Sequence, residues 1–212
     1  MSKGAAAKTK SPYSVHPGVA MVQKWVAELK EKTGRSLEEW LALVKKEGPG
    51  TEAERRDWLK KTHGMGTNSA SWIAARSAGK GGEDDDPEAY LRAAEKYVEE
   101  MYAGGKAHLR PIYDVLLKLG LNTGPEAKAC PCKTMVPLYR NHVFAQIKPT
   151  TQQRIDLGLC LLGFKKKPPK RLIDTGGAKK GDRITHRIEI TSQEEIDAEV
   201  KNWLKTGYEL DG

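Results

Sequence analysis

A chain of 212 residues, 38% apolar and 30% charged, is long enough for two small domains, and its apolar content can offset the chain entropy lost on folding. The formal charge of +8 is unevenly spread: residues 1–82 carry 15 Lys/Arg against 8 Asp/Glu, residues 83–88 carry five acids, and residues 89–212 carry 21 against 15. No window approaches the ~18 continuous apolar residues of a membrane span, and three cysteines without framework spacing argue against a disulfide-stapled secreted fold and for a reducing cytoplasm.

Residues 1–14, MSKGAAAKTKSPYS, lack the apolar core of an export signal and read as a flexible leader. Residues 15–79 read as a small four-helix bundle. Val19, Val22, Trp25, Val26 and Leu29 recur at helical spacing, with Pro17 in the first turn and Gly34 at the exit. Ser36 and Glu39 make a capping box before a second helix through Trp40, Leu41 and Val44, which stops at Gly48-Pro49-Gly50. Thr51 and Glu54 repeat the device before Trp58 and Leu59, and Thr67 or Asn68 is expected to cap a fourth helix with Trp72 and Ile73 inward. One indole per helix suits a core too small to leave large aromatic surface idle. In the link between the third and fourth helices, Gly64 and Gly66 are candidate phosphate contacts through backbone amides and a helix N-terminus, and His63 reads as a helix-end residue facing free carbonyls.

Residues 80–87 form a glycine-rich and then acidic linker, whose carboxylates precede a helix starting near Pro87 and suit the positive end of its dipole. Residues 88–212 read as an α+β domain, an antiparallel sheet covered by helices on one face. Tyr90, Leu91, Ala94, Tyr97, Val98 and Met101 trace one helix face, and Leu109, Ile112, Leu116, Leu117 and Leu119 a second after Gly104-Gly105. The period then changes. Ala127–Cys132 reads as a strand or an extended lead-in, and Thr134–Tyr139 contains Pro137, which restricts it to an edge or a bulge. His142–Lys148 alternates Val143, Ala145 and Ile147 with His142, Phe144, Gln146 and Lys148. Arg154–Leu162 and Arg183–Ile190 alternate likewise, and Ser192 with Glu195 predicts a capping box for a final helix carrying Ile196, Val200, Trp203 and Leu204.

The stretches HPGVAMVQKWVAELKEKTGRSLEEWLALVKKEGP and WLKKTHGMGTNSASWIA resemble the bacterial Domain of Unknown Function 4287 family. The block CPCKTMVPLYRNHVFAQIKPTTQQRIDLGLCL, followed by RLIDTGG and DRITHRI, resembles the Domain of Unknown Function 5655 family. The resemblance implies a two-domain arrangement and brings no activity, cofactor or catalytic residue with it.

Three patterns are candidate sites. Cys130-Pro131-Cys132 is too closely spaced for a zinc knuckle and lacks a second ligand pair, so it reads as a structural thiol pair, with metal carriage or thiol chemistry with a histidine as the alternative. The loop Asp174–Asp182 resembles a phosphate loop in composition but ends in Asp182-Arg183 where Lys-Ser/Thr is required, leaving Gly176, Gly177, Lys179 and Lys180 as possible phosphate contacts. On the polar sheet face, Lys133, Tyr139, His142, Gln146, Lys148, Arg154, Arg183 and Arg187 gather cations and donors suited to an anionic small molecule or nucleic acid, with Phe144 and Tyr139 available for stacking. A solvated sheet face accounts for the same pattern, and Asp156 and Glu189 favour ion pairing across it. The functional expectation is a non-catalytic binding protein, with no catalytic or metal-ligating residue assigned and no cofactor indicated. A protein-interaction adaptor is the remaining alternative.

Overall fold

A computed structural model describes residues 11–165 and 169–212, so most of the leader, and Lys166, Lys167 and Pro168 of the lysine-rich loop, lie outside the described residues. The chain divides into two compact units, one of Val15–Arg92 and one built on Ala93–Gly212.

The first unit contains α1 (Pro17–Thr33), α2 (Leu37–Glu47), α3 (Glu52–His63) and α4 (Thr67–Ser77). Both capping boxes are formed: the Ser36 and Thr51 side chains accept the N–H groups of Glu39 and Glu54, whose carboxylates accept from Ser36 and Thr51 in return. The helix exits at Gly34 and Gly64 require φ of 80° and 64°, which a side chain would oppose. At α4 the cap is Gly66, with no side-chain bond, in place of the expected Thr67 or Asn68. Trp40 is the one fully buried indole; its Nε1 donates to Thr33 Oγ1 at 2.8 Å, while Trp25 and Trp72 meet edge to face at 5.0 Å. His63 does not turn to the helix-end carbonyls. Its ring lies edge-on between Trp40 and Trp58, at 5.2 and 4.6 Å. The acidic run belongs to this unit: Trp72 Nε1 donates to Asp84 and Arg76 pairs with Asp85 at 3.4 Å.

The second unit carries α5 (Pro87–Met101) from Ala93 onward, a 3₁₀ segment (Gly104–Leu109), α6 (Arg110–Leu121), six strands and α7 (Ala198–Leu210). The strands are β1 (Lys128–Ala129), β2 (Val136–Tyr139), β3 (Val143–Lys148), β4 (Ile155–Leu159), β5 (Ile173–Asp174) and β6 (His186–Ile190), all antiparallel in the order β1-β2-β3-β4-β6-β5. Ala145, Ile147, Leu157, Leu159, Ile188 and Ile190 join Leu109, Ile112, Leu116, Val200 and Leu204 in one core, as a half-buried sheet covered by amphipathic helices requires. Tyr13 and Ser14 also belong here: the Tyr13 hydroxyl meets that of Tyr113 at 2.9 Å, and Ser14 N–H donates to the Ala129 carbonyl.

Pro137 lies in β2 outside the β1 pairing and beside a bulge, a placement that a strand proline requires. Two local readings are corrected. At that bulge Tyr139 pairs with Val143 and Leu138 with Ala145, so Phe144 is the extra residue; it is fully buried, edge-on to Tyr208 at 5.4 Å, and not on the polar face. Ser192 does not open the last helix. Glu195 instead accepts from Thr191 N–H at 2.7 Å, and Asp197 caps α7 through Val200 N–H.

Gly120 of α6 lies where a Cβ would come within 2.4 Å of Leu138 Cδ1, and Leu138 is itself fully buried and has no room to yield. Gly120→Ala should therefore destabilise the second unit by about 1–3 kcal/mol through overpacking, read as a lower urea midpoint at unchanged slope.

Candidate functional site

The sheet's second face is set by register. Gln146 lies opposite Gly158 and Lys148 opposite Asp156, while Gly158 and Asp156 face Arg187 and Glu189 on the other side. Gly158 forms the floor of this face: a Cβ there would stand 2.8 Å from both Gln146 Cγ and Ile184 Cγ2. Above it opens a pocket of about 270 Å³, lined by Gln146, Lys148, Thr150, Asp156, Gly177, Lys180, Asp182 and Arg187 among others. A second pocket, of about 530 Å³, lies between the 3₁₀ segment and the β3–β4 turn, lined by Glu100, Lys106, Lys133, Thr134, Pro149 and Gln152 together with the same Lys148 and Thr150.

The arginines and the lysines of this face differ in their partners. Arg154 lies 2.8 Å from Asp156 and 3.0 Å from Glu189, and Arg187 lies 3.8 Å and 3.0 Å from the same two acids. The Arg154–Asp156 approach is a charge contact without hydrogen-bond alignment, so Arg154 Nε, Arg187 Nε and the buried Asp156 Oδ1 have no hydrogen-bond partner. Asp156 Oδ2 accepts from the Thr150 hydroxyl at 2.8 Å, which fastens the β3–β4 turn to the floor. Lys148 and Lys180 have no carboxylate within 4.0 Å among the described residues. Lys106 donates to the Pro149 carbonyl at 2.6 Å and Lys133 lies 5.9 Å from the Tyr97 ring centre, so each keeps its charge uncompensated. Glu100 pairs with Lys96, at 3.6 Å, which does not line the pocket.

Lys133, Gln146, Lys148, Gly177, Lys180 and Arg187 are thus brought to the two pockets. His142 and Arg183 are drawn elsewhere, to the buried carboxylate of Asp211 at the end of α7, at 3.1 and 2.6 Å, and His142 N–H donates to its other oxygen at 2.7 Å. Tyr139 stays half-buried near the cysteines, and its phenol is pushed up to about 12 by burial, with the Cys130 and Cys132 thiols adding to the effect. In the glycine loop, Gly176 and Gly177 N–H donate to the Asp174 and Thr175 side chains. Gly64 and Gly66 are the caps of α3 and α4 in the other unit. Lys106 and Asp211 were not legible as site residues: one sits in a non-periodic 3₁₀ turn, the other contacts residues about seventy positions away.

The family model described as Domain of unknown function (DUF5655) matches residues 98–211, more than half of the chain. The chain belongs to this family. A model described as Domain of unknown function (DUF4287) matches residues 21–77, so the two matches fall in the two units. No curated protein and no solved structure matches the chain.

Both pockets lie in the DUF5655 region. So does the cysteine pair. Burial pushes the Cys130 thiol up to about 12, with Cys132 adding and Lys128 opposing, and burial also raises Cys132. Among the described residues no three His, Cys, Asp or Glu side chains are grouped to hold a metal ion. No helix among them is long and apolar enough to cross a membrane.

Two outcomes follow for the DUF5655 unit. Asp211→Ala removes the acceptor shared by Arg183 and His142, both of which stay solvated, and should cost about 1–2 kcal/mol in stability, measured by chemical denaturation. At pH 8 the native Cys130 should be alkylated by iodoacetamide on the order of a thousandfold more slowly than in the urea-unfolded chain, because its folded thiolate fraction is smaller by about that factor.

Proposed function

We propose that the second unit is a non-catalytic binding module for an anionic small molecule, taken up in the lysine-lined groove on the polar side of its sheet. The observation that carries this reading is the charge arrangement around Lys148: Lys106, Lys133 and Lys148 share one pocket whose only acid, Glu100, pairs with a lysine that does not line it. Neighbouring arginines are already matched by Asp156 and Glu189, so the lysines supply the unbalanced field. A small phosphate- or carboxylate-bearing ligand fits better than a single nucleic-acid strand. None of the groove-lining residues is aromatic and Phe144 is in the core, so bases would find no stacking platform. A reducing cytoplasm belongs to the same reading, supported by three unbridged cysteines.

Titration calorimetry with an alkyl phosphate and the matching carboxylate tests it. Lys148→Gln should weaken binding roughly tenfold to a hundredfold, the worth of one charge-assisted hydrogen bond, and should flatten the salt dependence. Unchanged affinity in that variant would sink the proposal, and tight binding of single-stranded oligonucleotides instead would move it to the nucleic-acid form.

A further inference from the structure

The two pockets share a wall made of Lys148 and Thr150, and their remaining cations differ: Lys106 and Lys133 line only the larger, Lys180 and Arg187 only the smaller. From this geometry we infer that the groove takes an elongated ligand with an anionic group at each end. One end lies by Lys106 and Lys133, the other by Lys180, and the body of the ligand crosses the Lys148–Thr150 wall. The inference rests on the anion-binding reading above and names the class of ligand within it.

Asp156 lies on the floor between the two ends. It is Lys148's cross-strand partner, its Oδ2 holds the Thr150 hydroxyl, and its Oδ1 is buried without a hydrogen-bond partner. Arg154 at 2.8 Å and Arg187 at 3.8 Å balance its charge, so the floor between the two ends offers no free cation to a further anionic group. The other carboxylate in the smaller pocket, Asp182, is engaged by Ile184 N–H through Oδ1. The ligand class is therefore a molecule with two separated phosphate or carboxylate groups, one for the lysines of each pocket.

Linking two anions makes the second contact intramolecular, so affinity depends on whether the linker spans the sites. The test uses the full chain in calorimetry with hexyl phosphate and with the bisphosphates of propanediol, hexanediol and nonanediol. One bisphosphate length is expected to bind roughly tenfold or more tighter than the monoester. Lys133→Gln and Lys180→Gln should each reduce that bisphosphate to the affinity of the monoester, while each variant keeps monoester binding at its intact end and an unchanged thermal midpoint. Equal affinity for the monoester and every bisphosphate overturns the two-ended ligand and leaves anion binding standing. Failure of all the probes to bind overturns both.

Discussion

The bulge at Phe144 is the constraint on which the second unit depends. One extra residue in β3 against β2 brings Phe144 and Ala145 to the same side of the sheet, so the ring that strict alternation would leave beside Gln146 is buried against Tyr208. Two things follow in the packing. The helix carrying Tyr208 approaches so closely that a Cβ on Gly207 would lie 3.0 Å from the Phe144 carbonyl, and α7 then ends with Asp211 in reach of His142 and Arg183. Beyond the bulge the alternation resumes, which leaves Gln146 and Lys148 on a face cleared of aromatic rings.

Charge on that face is divided by residue type. The guanidinium groups of Arg154 and Arg187 lie between two carboxylates, where an always-charged group balances both acids at once. The lysines line the pockets as point charges without a carboxylate partner. Arginine therefore organises the floor and lysine supplies the field, and a count of basic residues alone merges the two roles.

Local chemistry made much of the fold readable. Capping boxes at Ser36 and Thr51 and glycines at positions 34 and 64 bound three helices because those signals act over one turn. Alternation placed Gln146, Lys148, Asp156 and Arg187 on one face for the same reason. Alternation failed at Phe144, because a bulge shifts parity without leaving a distinctive residue type, and the capping-box signal failed at Ser192, where Glu195 accepts from Thr191 N–H instead. The site was less readable than the fold. His142 and Arg183 share their strands' polar pattern with Lys148, yet a carboxylate far along the chain removes them from it, and nothing local to either residue signals that partner.

The β3–β4 turn is fastened from two directions: Lys106 Nζ holds the Pro149 carbonyl, and Asp156 holds the Thr150 hydroxyl one residue later. A wall tied down in this way has little motion to lose when a ligand arrives, so the ordering cost of association is largely met before the encounter. For the proposed ligand, recognition would then rest on where the lysines stand rather than on closure of this turn around it.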